Sequence, residues 1–464
     1  MESTYENSLF IFRRDLRLED NLGLINALTN SSEVVPCFFF DHRLLSTKAQ
    51  HHNATQFMVE GLKDLDDQLT QKKSQLFCFS DLPEKKVPSL INSLHIDAVF
   101  VNRDYTPFSQ RRDSRLRKIC KQIGVGFQQF ADSLLTEPEM VHKSNNEPYK
   151  VFTPFFEKAK QIPVASSKAN PYRNYSSSKI LRKNVLSSVL KKHQFQTNER
   201  LLFEGNRSSC RRILEDLSPF RDYDIKRDLP FEHATTHLSP YLKFGLCSIR
   251  EVHAAVSNQL GATHPLIRQL YWREFYTHIA FHYSYVFKRA FKARYENLQW
   301  NKSKTLFQAW CEGKTGFPIV DAGMRQLNTT GWMHNRVRMI VASFLTKDLH
   351  IDWRWGERYF AKHLVDYDPA VNNGNWQWAA STGVDAQPYF RIFNPWRQQE
   401  KYDYNCEYIK QWIPELSQIE PKIIHQWFKP TKLDSQLNYP KPLVDHKQES
   451  QYSKELFSRT YSTK

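Results

Sequence analysis

The chain has no apolar run approaching the roughly 20 residues needed to cross a bilayer, which excludes an ordinary membrane-spanning protein. Its first residues, Met1-Glu2-Ser3-Thr4-Tyr5-Glu6, lack the basic start and apolar centre of a secretory leader, so a cytoplasmic location is expected. Seven cysteines, Cys37, Cys78, Cys120, Cys210, Cys247, Cys311 and Cys406, are scattered without a Cys-x-x-Cys pair or a Cys/His spacing of the zinc kind. They read as free thiols in a reducing compartment, and no metal site is expected. No Gly-x-Gly-x-x-Gly follows the first apolar run, so the usual dinucleotide fingerprint is missing. Acidic balance is missing too: the net charge is +16 and the pI near 9.3, which points to a polyanionic partner. With abundant aromatics and no membrane segment, nucleic acid fits that charge best.

At 464 residues the chain is long enough for two domains, each with its own core. Short apolar runs at Ser8 to Phe12, Val34 to Phe40, Gln75 to Phe79, Ala98 to Asn102 and Gly126 to Phe130 read as strands. Asn53 to Thr70 and Ser109 to Gln122 carry helical spacing between them, and this alternation predicts a parallel sheet with helices on its faces over residues 1–130. Periodicity fades over 131–198, a surface connection marked by Ala165-Ser166-Ser167 and Ser176-Ser177-Ser178. Over 199–464 the spacing is helical, with helices expected at Cys210 to Leu217, Ile249 to Gln259, Pro265 to Tyr285, Pro318 to Thr329, Asn335 to Lys347 and Trp355 to Leu364. Gly313, Gly316, Gly331 and Gly374 mark the loops of this all-α domain.

Tryptophan is absent before position 272, and all eleven lie between Trp272 and Trp427. Several stand beside Arg and Asn, as in Gly331-Trp332-Met333-His334-Asn335-Arg336 and Asn372-Asn373-Gly374-Asn375-Trp376-Gln377-Trp378. Indole can serve as a large core ring, as a base-stacking platform or as a one-electron carrier, and this clustering favours the last two. Trp332, Asn335, Arg336 and Met339 share one face if their segment is helical, as do Gln269, Trp272, Arg273 and Tyr276. Such mixed faces suit the wall of a polar site, because an unpaired buried polar group costs about 1 to 3 kcal/mol. Asp366-Tyr367-Asp368 could accept hydroxyl hydrogens or be surface charge. Thr235-Thr236-His237-Leu238-Ser239 could hold phosphate or act as a helix N-cap.

Phe12-Arg13-Arg14-Asp15-Leu16-Arg17, Tyr149 to Pro154, Trp272-Arg273-Glu274-Phe275-Tyr276, Thr315 to Leu327, Asn335 to Arg354 and Asp366 to Ala380 together resemble the photolyase and cryptochrome flavoproteins. The likeness is ordered, spans nearly the whole chain, and is greatest to the class I photolyases that split cyclobutane pyrimidine dimers. It implies a Rossmann-like N-terminal domain and a helical C-terminal domain holding folded FAD, active as FADH⁻. By matching position, Tyr223, Thr235, Thr236, His237, Leu238, Ser239, Arg273, Arg338, Asp366, Tyr367, Asp368 and Asn372 would surround the cofactor, with Asn372 facing flavin N5. Trp376, Trp353 and Trp300 would form an electron relay to the surface. Gln269, Trp272, Asn335, Met339 and Asn372 would serve the reaction on a flipped dimer. Arg227, Gln269, Trp272, Tyr276, Asn335, Arg336, Trp378, Arg391 and Gln398 would contact DNA, with Lys150 as a further candidate, and the protein would act as a monomer.

The resemblance breaks at two places. Relatives that repair cyclobutane dimers usually have Glu where this chain has Gln269, whereas six-four photolyases and animal cryptochromes usually have Gln. Those relatives also carry His at the positions of Asn335 and Met339, so cyclobutane repair remains the expectation. The Asn-Glu pair of folate-binding bacterial relatives is absent from Tyr105-Thr106-Pro107-Phe108-Ser109, which leaves a deazaflavin, another flavin or no second chromophore. A signalling cryptochrome is the rival from another class.

Overall fold

The computed structural model describes residues 4–45, 52–181, 183–192, 195–430 and 437–462. Its sheet has five parallel strands: β1 (Tyr5–Phe12), β2 (Ser31–Phe39), β3 (Phe77–Phe79), β4 (Ala98–Asn102) and β5 (Gly126–Phe130), in the order β3-β2-β1-β4-β5. All five expected strands form, within a few residues of their expected ends. Alternation along them divides the core in two. Leu9, Ile11, Val35, Cys37, Val99 and Val101 pack under the helices Pro83–Leu94 and Pro107–Ile123. Phe10, Phe12, Phe38 and Phe100 face the other way, against Leu22–Asn30 and His52–Gln71. That second core does not stop at the sheet. It runs through Phe57, Tyr241, Phe244 and Phe275 into the helical part, so the two parts share one apolar interior.

The six helices expected in the C-terminal part all form, at Arg207–Glu215, Ile249–Leu260, Pro265–His282, Pro318–Thr330, Asn335–Lys347 and Trp353–His363. Lys304–Glu312, Pro369–Ala379, Pro395–Tyr402 and His446–Ser462 join them. The expected loop at Gly374 is corrected, because this glycine lies inside the Pro369–Ala379 helix. A Cβ there would fall within the ring of Tyr276, so glycine serves helix packing. Within 131–198, residues 165–169 are exposed, as a surface connection would be, while Phe152, Phe155, Asn170 and Tyr175 are buried. The same span contains the Phe152–Ala159 helix, and Tyr175 pairs beside Val34 in a parallel bridge. No described helix is long and apolar enough to cross a membrane.

The Arg14-Asp15-Leu16-Arg17 loop after β1 is tied to the helical part by buried charge. Arg17 pairs with Asp132 at 2.7 Å, and Arg250 pairs with Asp132 at 2.8 Å and Asp20 at 3.0 Å. All four side chains are at most 5 % exposed. Burial would raise the Asp132 carboxyl, but Arg17 and Arg250 outweigh it and hold it below the ordinary carboxylate range.

Candidate active site

The helix Pro369–Ala379, which carries Asn372, Trp376 and Trp378, packs against both Pro265–His282 and Asn335–Lys347. This brings the two mixed faces of the sequence to one place. Arg338 forms a forked pair with Asp366, 2.9 and 3.2 Å, and the Ser239 hydroxyl donates to Asp366 at 2.7 Å. Ser239 therefore serves Asp366, and no side chain caps the short Ser239–Phe244 helix, which corrects the N-cap alternative. His237 has a left-handed backbone (φ 54°) and meets the Trp332 ring edge-on at 4.5 Å. Burial lowers its imidazole to about 4, so it is neutral at physiological pH. Leu238 is buried, while Tyr223, Thr235 and Thr236 are half-buried.

Asn372 gives its amide nitrogen to Glu357, to the carbonyl at 3.2 Å and to the carboxyl at 3.0 Å, which turns its oxygen away from Glu357. Burial raises the Glu357 carboxyl above its ordinary value, with the Asn372 bond acting in the opposite direction. Glu357 was not legible as a site residue. Its one sequence signal is a carboxylate four residues after Trp353, on that indole's helical face.

Residues suited to FAD are present in this region. The Arg338–Asp366–Ser239 cluster and the Asn372 oxygen offer both donors and acceptors, and His334 Nε2 and Arg336 Nε are buried without a protein partner. His334 feels Arg338 and His237 electrostatically, which places it beside the same cluster. Arg273 and Asp368 lie at its border with the α/β part. Arg273 donates to the Ser133 carbonyl at 2.8 Å, and Asp368 pairs with Arg14 while capping the Pro369–Ala379 helix. Tyr367 faces a separate cavity.

Trp272 is half-buried and lies flat on Phe152, 3.6 Å between centroids and 7° between planes. The Arg268 guanidinium also lies over the Phe152 ring, at 4.9 Å. One face of Trp272 is thus already stacked, a support the sequence did not reveal although Phe152 stands in a quoted motif. Gln269 is half-buried one turn before Trp272. The Asn335 amide reaches Met339 sulfur at 3.7 Å. Trp332 leaves their stripe, because the helix begins at Asn335 with His334 as its cap. Tyr276 is corrected as a DNA contact: it is 5 % exposed and fills the space above Gly374. Arg336 pairs with Asp228 at 2.6 Å and lies over the Tyr402 ring at 4.3 Å. Arg227 lies over the Tyr223 ring, and Lys150 over the Tyr283 ring. Arg391 and Lys150 are exposed, Trp378 meets Phe393 edge-on at 6.5 Å, and the Gln398 oxygen is buried without a partner.

Of the three relay tryptophans, Trp376 and Trp353 are each 2 % exposed. The Trp376 ring presses on Gly356, one turn after Trp353, where a Cβ would overlap it. Trp300 is half-buried, but its Nε1 is enclosed without a partner, and Phe457 of His446–Ser462 lies edge-on at 6.2 Å.

The fold and this arrangement are those of a two-part flavoprotein. A family model described as DNA photolyase matches residues 8–172, and one described as the FAD binding domain of DNA photolyase matches residues 266–459. The deoxyribodipyrimidine photo-lyase of Vibrio cholerae is 38 % identical, the alignment covering 96 % of this chain and 98 % of that protein. The archaeal photolyase of Sulfolobus tokodaii, solved with two FAD molecules, is 42 % identical with a TM-score of 0.89, covering 98 % of this chain and 100 % of the other. A class III photolyase from Agrobacterium tumefaciens is 32 % identical with a TM-score of 0.91, covering 100 % and 99 %. The chain belongs to the DNA photolyase family. Because the likeness extends to a class III member, it defines the family without singling out class I.

Proposed function

We infer that the protein is a light-driven DNA repair lyase that splits cyclobutane pyrimidine dimers flipped out of the duplex. The observation that carries this reading is Trp272: a half-buried indole, stacked on one face by Phe152, standing one turn from the Gln269 amide. That is a stacking platform with a hydrogen-bond donor beside it. A damaged base step suits extrusion, because its weakened pairing lowers the unstacking cost. The chemistry supplied by bound FAD, in its reduced form, is the light-driven donation of one electron. Around it, Arg338, Asp366, Ser239 and Asn372 hold and orient, while Asn335 and Met339 line the lesion's side. The protein works on this reading as a cytoplasmic monomer, with all seven cysteines free and buried.

The deciding experiment illuminates the reduced protein with an oligonucleotide carrying one defined cyclobutane dimer and measures restored thymines. Activity on a six-four oligonucleotide alone would reverse the lesion assignment, and a photoreceptor would repair neither. Gln269 can donate a hydrogen bond to a dimer carbonyl but cannot pass on a proton, whereas a protonated Glu can do both. Gln269→Glu is therefore expected to raise the repair yield per absorbed photon with little change in DNA binding. An unchanged yield with unchanged binding would remove that proton from the account.

Asn372→Ala is expected to speed reoxidation of the reduced flavin in air, because it removes the amide oxygen that Glu357 orients. Absorbance after photoreduction, in protein that retains its flavin, measures this. Kinetics identical to wild type would take Asn372 out of the role.

The seat we propose for a second chromophore, if the protein carries one, is a cavity beside the Arg14 loop. The cavity measures about 690 Å³ and is lined by the Thr106-Pro107-Phe108-Ser109 segment, Lys243, Tyr285 and Tyr367, with Arg13 and Arg112 at its wall. One guanidinium nitrogen of Arg13 and one of Arg112 are buried without an acceptor, a donor set suited to phosphate. Burial, with Arg14 nearby, brings the Lys243 amine down to about 7. A phosphate-bearing flavin or deazaflavin fits this lining.

A further inference from the structure

The indole in ring contact with Trp376 is not one of the relay. Trp310, 0 % exposed, meets Trp376 edge-on with centroids 6.1 Å apart, and Phe360 packs against both at 6.2 and 5.0 Å. On the other side of Trp310, Phe307 is stacked at 5.8 Å and 19°. Phe307 in turn meets Trp355 edge-on at 5.2 Å. An unbroken line of ring contacts thus leads from buried Trp376 to half-buried Trp355. Electron tunnelling falls exponentially with the gap crossed, so contact at each step favours transfer along this line.

The two ends of the molecule's aromatic paths also differ. An indole that has lost an electron becomes a strong acid and is trapped only when its N–H proton leaves. Trp300 has its N–H enclosed without an acceptor, and its ring meets Phe457 edge-on. Trp355 is half-buried and has no such enclosed N–H, so water can take its proton. The Trp310 N–H donates to the Val341 carbonyl at 3.0 Å, which stabilises positive charge on that ring without removing the proton. Trp310 is therefore a way station and Trp355 a terminus.

We propose that the electron vacancy on Trp376 has a second exit, through Trp310 and across Phe307 to Trp355, beside the route through Trp353 to Trp300. This rests on the reading of Trp376 as the first donor to light-excited oxidised flavin. Trp310 gives one electron to the Trp376 cation radical and restores it. Trp355 then gives one electron to Trp310. Phe307 is too hard to oxidise to hold the vacancy and serves as the contact between them. The Trp355 cation radical releases its N–H proton to water, and a hydrogen atom from a solution thiol returns it to tryptophan, leaving a thiyl radical. The net change is one electron drawn from the thiol.

Flash absorption and electron paramagnetic resonance on flavin-loaded protein test this. Trp300→Phe is expected to leave a lasting tryptophanyl radical at reduced yield. Its β-methylene splitting should be that of another side chain, since each residue's torsion sets its own pattern. Adding Trp355→Phe should take the signal to baseline, as should adding Trp310→Phe. Should that buried replacement not fold, as judged by thermal melting, the Trp355 variant decides alone. A Trp300→Phe signal already at baseline, or one untouched by Trp355→Phe, overturns the second exit while leaving the relay intact. Wild-type radical yield in Trp376→Phe overturns the relay itself, and the second exit with it.

Discussion

Arg250→Ala will cost the fold about 3 to 5 kcal/mol, the range for removing one partner of a buried ion pair. Arg250 is 4 % exposed and bonds both Asp20 and Asp132, so its loss leaves the Asp132 carboxylate with Arg17 and the Leu22 N–H, and the Asp20 carboxylate with only the Ser248 hydroxyl and the Lys168 N–H. Denaturant unfolding measures the loss directly, and a change below about 1 kcal/mol, the level of an exposed pair, would refute the clamp. The acid limb will move as well. Asp132 has a folded-state pKa below its ordinary value, so its contribution is in force above that ordinary value and is lost as pH falls through the lowered one. Without Arg250, burial pushes the carboxyl back up, and acid unfolding begins at higher pH.

Trp272→Ala will erase most of the preference for damaged over intact DNA. Stacking of one base on an aromatic ring is worth about 1 to 3 kcal/mol, or roughly 5- to 150-fold in affinity, and this platform meets a base only after extrusion. Phe152→Ala will lower the same preference by less, since it removes the brace and leaves the indole. Exposed Arg391 gives the contrast: Arg391→Ala should weaken binding to both DNAs alike and reduce the salt slope by about 1. Binding titrations on matched oligonucleotides at several salt concentrations separate these behaviours. Equal losses on both DNAs for Trp272→Ala would contradict the stacking assignment.

The strands were legible because their alternation of apolar side chains is set by the strand itself. The helix Pro83–Leu94 was not, since Pro88 inside it reads as a breaker. Leu22–Asn30 is nine residues long, too short for its periodicity to stand out between two strands. In the site, the sequence separated candidates that local spacing could place, such as Asn335 and Met339. It could not see distant partners: Tyr276 is packed inward over Gly374, and Arg336 meets Asp228 and Tyr402. Glu357 was missed for the same reason, because its meaning lies in its bond to Asn372.

The apolar interior shared by the sheet and the helices has an optical consequence. Excitation passes between two chromophores with an efficiency that falls as the inverse sixth power of their separation and depends on the angle between their transition dipoles. A flexible joint between the parts would blur both quantities. Phe10, Phe57, Tyr241, Phe244 and Phe275 instead belong to one packed cluster, and Arg14, at the wall of the large cavity, pairs directly with Asp368 at the border of the flavin-suited site. Two pigments seated at these positions would keep a fixed distance and tilt through every absorption event.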